Sequence, residues 1–78
     1  MKLSELQKKD IIDMNSGIKV GNIIDVVIND SGFITSLIVD KSPFAFNFLM
    51  NRGEMEISFD NIVKIGEDVV LVKIKQKL

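Results

Sequence analysis

The chain has 78 residues, no Cys and no His, and its 10 basic and 11 acidic residues leave a net charge of −1. This length supports one core, so residues 1–78 are expected to form a single domain. The charge balance argues against a dedicated nucleic-acid binder, and the lack of Cys rules out a disulfide framework or a thiolate metal site.

In chain order, Ser4 to Lys9 is polar and predicts one helical turn, pinned by Leu3 and Leu6. Ile11-Ile12-Asp13-Met14 reads as a first short strand, closed by a turn over Asn15-Ser16-Gly17. Lys19 to Asn29 predicts the longest strand, with a bulge or bend at Gly21. Asn29-Asp30-Ser31-Gly32 is a hairpin turn, and Phe33 to Asp40 is the returning strand.

Lys41 to Gly53 is irregular, with Pro43 unable to donate to a ladder. Glu54 to Phe59 alternates, placing Met55, Ile57 and Phe59 on one side and Glu54, Glu56 and Ser58 on the other. Asp60 is the expected cap of a single turn over Asn61-Ile62-Val63. Val63 to Ile65 alternates again, and Gly66-Glu67-Asp68 turns the chain into Val69 to Ile74. That last run is apolar on both faces, as in a strand inside a sheet or against a second chain. Six strands joined by tight turns predict an all-β fold, a small six-stranded antiparallel β-barrel, because closure removes sticky edges.

Three segments carry a family resemblance. Gly21-Asn22-Ile23-Ile24-Asp25-Val26-Val27-Ile28-Asn29, then Ser31-Gly32-Phe33-Ile34 and Ser36-Leu37-Ile38-Val39, resembles the opening hairpin of the PRC-barrel superfamily. Met1 to Leu6 with Asp10 to Asp13, and Ile62 to Val72, resemble the two ends of the YlmC/YmxH sporulation-protein family. The sequence departs at Ser58, where the family usually has Pro, and in a middle loop poorer in Gly and Arg. The resemblance implies a small β-barrel from a spore-forming bacterium, used as a docking module.

The residues support no enzyme and no cofactor. His, Cys, Tyr and Trp are all missing, which removes the imidazole, phenol and thiol options; the carboxylates Asp25, Asp30, Asp40, Glu54 and Glu56 remain, but a 78-residue barrel has little room for the cleft that a catalytic pair needs. Asp25, Asn29, Asp30 and Gly32 do not match the spacing of a calcium loop, and Gly17 and Gly21 do not form a phosphate-binding loop. Lys73, Lys75 and Lys77 share one face of an extended last strand. They suit RNA phosphates or, more simply, an edge protected by charge. The start of the chain has no apolar signal-peptide region and the apolar runs are at most four residues long. The expected setting is therefore the cytoplasm, with no transmembrane segment.

The candidate interaction surface is Phe44, Phe46, Phe48, Leu49 and Met50, three of the five Phe residues lying in the least regular segment. One reading makes them a lid on the barrel. The other makes them an exposed tip for a protein partner, a second copy in a homodimer, or shallow membrane contact. The functional expectation is a non-enzymatic, sporulation-associated protein-interaction module without tight nucleic-acid binding. The alternative is an RNA- or ribosome-associated barrel.

Overall fold

The order of apolar and turn residues produces a mostly-β fold in a computed structural model that describes residues 1–41 and 53–74. A short helix α1 (Leu3–Gln7) precedes β1 (Asp10–Asp13), β2 (Lys19–Ile28), β3 (Ile34–Lys41), β4 (Glu54–Ser58), β5 (Ile62–Ile65) and β6 (Val69–Val72), with a 3-10 turn at Phe59–Asn61. The six strands form one mixed sheet in the order β4-β3-β2-β1-β6-β5.

Four of the ladders are antiparallel and join sequence neighbours, as the turns predict, except that β3 and β4 are linked through 42–52. The fifth joins β1 to β6 in parallel, so the sheet is mixed where a purely antiparallel one was expected. The reason is non-locality. Turn residues fix the direction of consecutive strands, and they carry no information about how the first strand meets the last. Among the described residues β4 and β5 are the sheet's two edges, and no ladder closes it into a barrel.

The core follows from period-two alternation. Leu37 on β3 lies opposite Val26 and Ile57, and Val39 lies opposite Ile23 and Met55. Ile11 sits beside Val70, which in turn faces Ile65. With Leu6, Val20 and Val72 these form one apolar cluster. The two-sided apolar run Val69–Val72 is accounted for by its place inside the sheet, between β1 and β5.

At Gly21 the β1–β2 ladder shifts register, between its partner Ile11 and the following Ile12. A Cβ at Gly21 would come within 1.9 Å of the Asp40 carbonyl oxygen, so only Gly fits. Two local expectations are corrected. Phe59 does not continue the inner row of Met55 and Ile57. β4 ends at Ser58, and Phe59 enters the 3-10 turn, 40% exposed. That turn is capped by Ser58, whose hydroxyl accepts from the Asp60 amide at 3.3 Å, and not by Asp60.

Asp13, at the end of β1, is 1% exposed. Its Oδ2 accepts from the Ser16 amide at 3.0 Å and its Oδ1 from the Ile74 amide at 3.4 Å. One buried carboxylate thus ties the β1–β2 turn to the chain just after β6. A buried charge is tolerated when donors satisfy it in this way.

Candidate interaction surface

The β2–β3 hairpin ends in a turn that is rigid because it satisfies itself. The Asn29 carboxamide oxygen accepts from the Ser31 and Phe33 amides, each at 3.0 Å. The Asn29 amide donates to the Phe33 carbonyl at 2.9 Å, and the Gly32 amide to the Asn29 carbonyl at 3.0 Å. Gly32 takes a φ of +89°, a value that favours glycine. This frame holds Phe33 at 70% exposure.

Other apolar groups are exposed at the same end of the sheet. Ile28 and Ile34 are opposite one another across the last pair of the hairpin, and both are exposed, Ile28 at 58%. Ser58 pairs with Ser36, so the end of β4 and the following Phe59 lie beside the start of β3. Phe33, Ile28, Ile34 and Phe59 therefore form an exposed apolar set on firm backbone. An aromatic displayed this openly contributes nothing to the core, and such patches mark contact sites.

Asp30 and Asp60 flank this set in sequence, and the outer face of the sheet stays acidic from there toward the Asn22 end. On the outer face of β2–β3–β4, Asp40 lies opposite Asn22 and Glu54, and Ile38 lies opposite Asp25 and Glu56. Residues 20–40 and 53–63 contain six carboxylates, Asp25, Asp30, Asp40, Glu54, Glu56 and Asp60, and no Lys or Arg. The rest of the chain holds ten basic residues against five acidic ones. A charge of −6 in one part and +5 in the other thus underlies the net −1.

The opposite end is arranged differently. Helix α1 packs on β2 through buried Leu6 and leaves Met1, Leu3, Lys2 and Lys8 exposed. Lys9 reaches across to the β5–β6 turn, where its ammonium donates to the Gly66 carbonyl at 2.8 Å and to the Glu67 carbonyl. Asn22 Nδ2 donates to the Lys9 carbonyl at 3.2 Å and to Asp10 Oδ1 at 3.0 Å. Lys19 meets the same Asp10 oxygen at 3.1 Å. The Asn22 hydrogen bond, then that of Lys19, holds the Asp10 carboxyl below its ordinary value of 3.8.

The sequence-predicted surface, Phe44, Phe46, Phe48, Leu49 and Met50, lies outside the described residues. So do Lys75 and Lys77 of the basic tail; Lys73 is exposed just beyond β6. Among the described residues no group of three or more acidic side chains could hold a metal ion, and no helix is long and apolar enough to cross a membrane. Phe33 escaped sequence reasoning because it opens a strand with a good apolar pattern. The available signal was its place directly after the turn glycine, beyond the last strand pair.

The PRC-barrel domain family matches the chain over residues 1–78.

The chain belongs to the PRC-barrel family.

This PRC-barrel chain is 39% identical over 75 residues to the probable sporulation protein YlmC of Bacillus subtilis, covering 95% of this chain and 93% of the relative. It is 27% identical over 81 residues to the uncharacterized protein YmxH of the same organism, covering 100% of this chain and 94% of that protein. An uncharacterized protein of Clostridium acetobutylicum is 31% identical over 71 residues, with 90% of this chain and 80% of the relative covered. The resemblance read from the two termini and the central hairpin thus holds along the whole chain.

Proposed function

We propose that this PRC-barrel chain is a non-enzymatic protein-interaction module acting in sporulation. The observation that carries the proposal is Phe33, held 70% exposed on a turn closed by its own hydrogen bonds, with Ile28, Ile34 and Phe59 exposed at the same end. Rigid, exposed aromatic groups bind at small entropic cost and are common anchors of protein interfaces. The non-enzymatic reading is supported by the lack of His, Cys and Tyr and by the small size of the fold, which offers little room for a cleft between paired carboxylates. The sporulation setting comes from the likeness to the probable sporulation protein of B. subtilis.

The acidic surroundings of the apolar set favour a protein partner over RNA, whose phosphates would be repelled there. The test is affinity capture from sporulating cells with the wild-type chain and with Phe33→Ser. The expected outcome is a protein retained by the wild type and lost with the variant. An identical set of captured proteins, or retention of RNA that disappears with added salt, would overturn the reading.

A further inference from the structure

We propose that the outer edge of β4 is a strand-acceptor site for this chain's own C-terminal segment, residues 75–78, which continues β6 along that edge. The inference is independent of the hairpin surface and of the interaction-module reading.

The topology prepares the site. Among the described residues β4 and β5 are the two edges of the sheet, yet only the three-residue turn Phe59–Asn61 separates them in the chain. The sheet therefore curls until its edges meet at that turn, with β3 along one side of the β4–β5 segment and β6 along the other. β6 runs antiparallel to β5, with Val72 opposite Ile62, and the Lys73 amide extends this ladder by donating to the Asn61 carbonyl at 2.9 Å. The chain thus heads back past the turn toward Ser58, the last residue of β4. A three-residue 3-10 turn rises about 6 Å, which two extended residues span. Residue 75 accordingly arrives level with Ser58, and the four residues that follow Ile74 cover about 13 Å of β4.

Hydrogen bonding and side-chain alternation agree with this path. The Lys73 amide points to the β5 side, and the Ile74 amide points to Asp13 on the β1 side, at 3.4 Å. In an extended chain the amide of residue 75 turns to the first side again, where β4 offers the backbone groups that β3 does not use. Ile74 packs against the core and Lys73 is exposed. Continued alternation puts Lys75 and Lys77 on the outer face, which on β4 carries Ser58, Glu56 and Glu54, and puts Leu78 on the side of half-buried Met55. Two ammonium groups then stand beside two carboxylates whose cross-strand partners on β3 are Ile38 and Asp40. The β4 strand of a second copy is a poorer occupant, because an antiparallel pair centred on Glu56 sets like charges opposite one another.

The experiment measures amide hydrogen exchange of β4 in the full chain and in a chain ending at Ile74, with circular dichroism to establish that both are folded. The β4 amides that face away from β3 are expected to exchange about tenfold faster after truncation, while those of the β1–β2 ladder are unchanged. Charge reversal in the full chain tests the occupant. Lys75→Glu with Lys77→Glu is expected to lose the same protection, and adding Glu54→Lys with Glu56→Lys is expected to restore it. These variants decide the matter alone if the truncated chain does not fold.

Equal exchange in the full and truncated chains overturns the proposal, and so does a quadruple variant no better protected than the double one. Protection that grows with protein concentration also overturns it, because the segment then comes from a second copy.

Discussion

The two ends of β2 are built on opposite principles. From Val20 to Ile23 the strand is enclosed: Val20, Gly21 and Ile23 are buried, and Asn22 donates to both Lys9 and Asp10. From Val27 to Phe33 the hairpin exposes Val27, Ile28 and Phe33, and its turn is held by local hydrogen bonds alone. One end obtains its rigidity from packing against neighbouring strands. The other is rigid without packing, which leaves its side chains free to meet something else. The difference teaches that exposure of apolar groups here does not reflect a poorly ordered loop.

The largest expected effect is at the enclosed end. Gly21→Val places a Cβ 1.9 Å from the Asp40 carbonyl oxygen, so the β2–β3 ladder must open. A loss of about 3 kcal/mol is expected in urea unfolding, in the upper range for one substitution. A loss under about 1 kcal/mol would show that the two strands can separate freely there, and the contrast between the two ends would fail.

Asp13 tests the same region at its second anchor. Asp13→Ala leaves the Ser16 and Ile74 amides without their carboxylate acceptor. The expected loss is about 2 kcal/mol, with Asp13→Asn milder because one oxygen remains to accept. Equal losses for Ala and Asn would mean that the charge itself, and not the acceptor geometry, is what the site requires.

Asp10 gives a smaller and pH-dependent effect. Its carboxyl is held below 3.8 in the folded chain by Asn22 and Lys19. The carboxylate therefore contributes its full stabilisation above the ordinary value and loses it as pH falls below 3.8 through the folded value. The pair is partly exposed, with the Lys19 and Asp10 side chains at 34% and 46%, so solvent screens it. Asp10→Asn is expected to cost only about 0.5 kcal/mol at neutral pH, and to flatten the stability profile below 3.8. Denaturant midpoints measured down the acid range would check both.

Most of the fold was legible in the sequence because its information is local. Strand periodicity gave Met55 and Ile57 their inner positions, and Gly32 marked the hairpin. What escaped was non-local or lay at an element's end. The β1–β6 pairing joins residues about 60 positions apart in the chain, where no turn specifies direction. Phe59 fits the alternation of β4 by sequence, yet the 3-10 turn begins there and rotates it away from the inner row. The charge segregation was fully legible and was concealed by reading net charge over the whole chain. A near-neutral sum conveyed balance where two blocks of opposite sign were present.

Phe33 carries the smallest expected effect on stability and decides the most about the exposed end. The side chain is 70% exposed, so Phe33→Ser removes little buried area, and the backbone bonds of the turn do not require the ring. Surface substitutions of this kind change stability by about 0.5 kcal/mol or less. The same change removes the most exposed aromatic group from the surface argued to bind. A folded variant with an unaltered urea midpoint and lost association is therefore the expected pair of outcomes. Gly32→Ala supplies the converse, since it leaves Phe33 in place but strains the turn that presents it at a φ of +89°. Association that survives Gly32→Ala and fails in Phe33→Ser would assign the contact to the ring alone. Association lost in both, with both chains folded, would show that the ring binds only when the turn holds it in position.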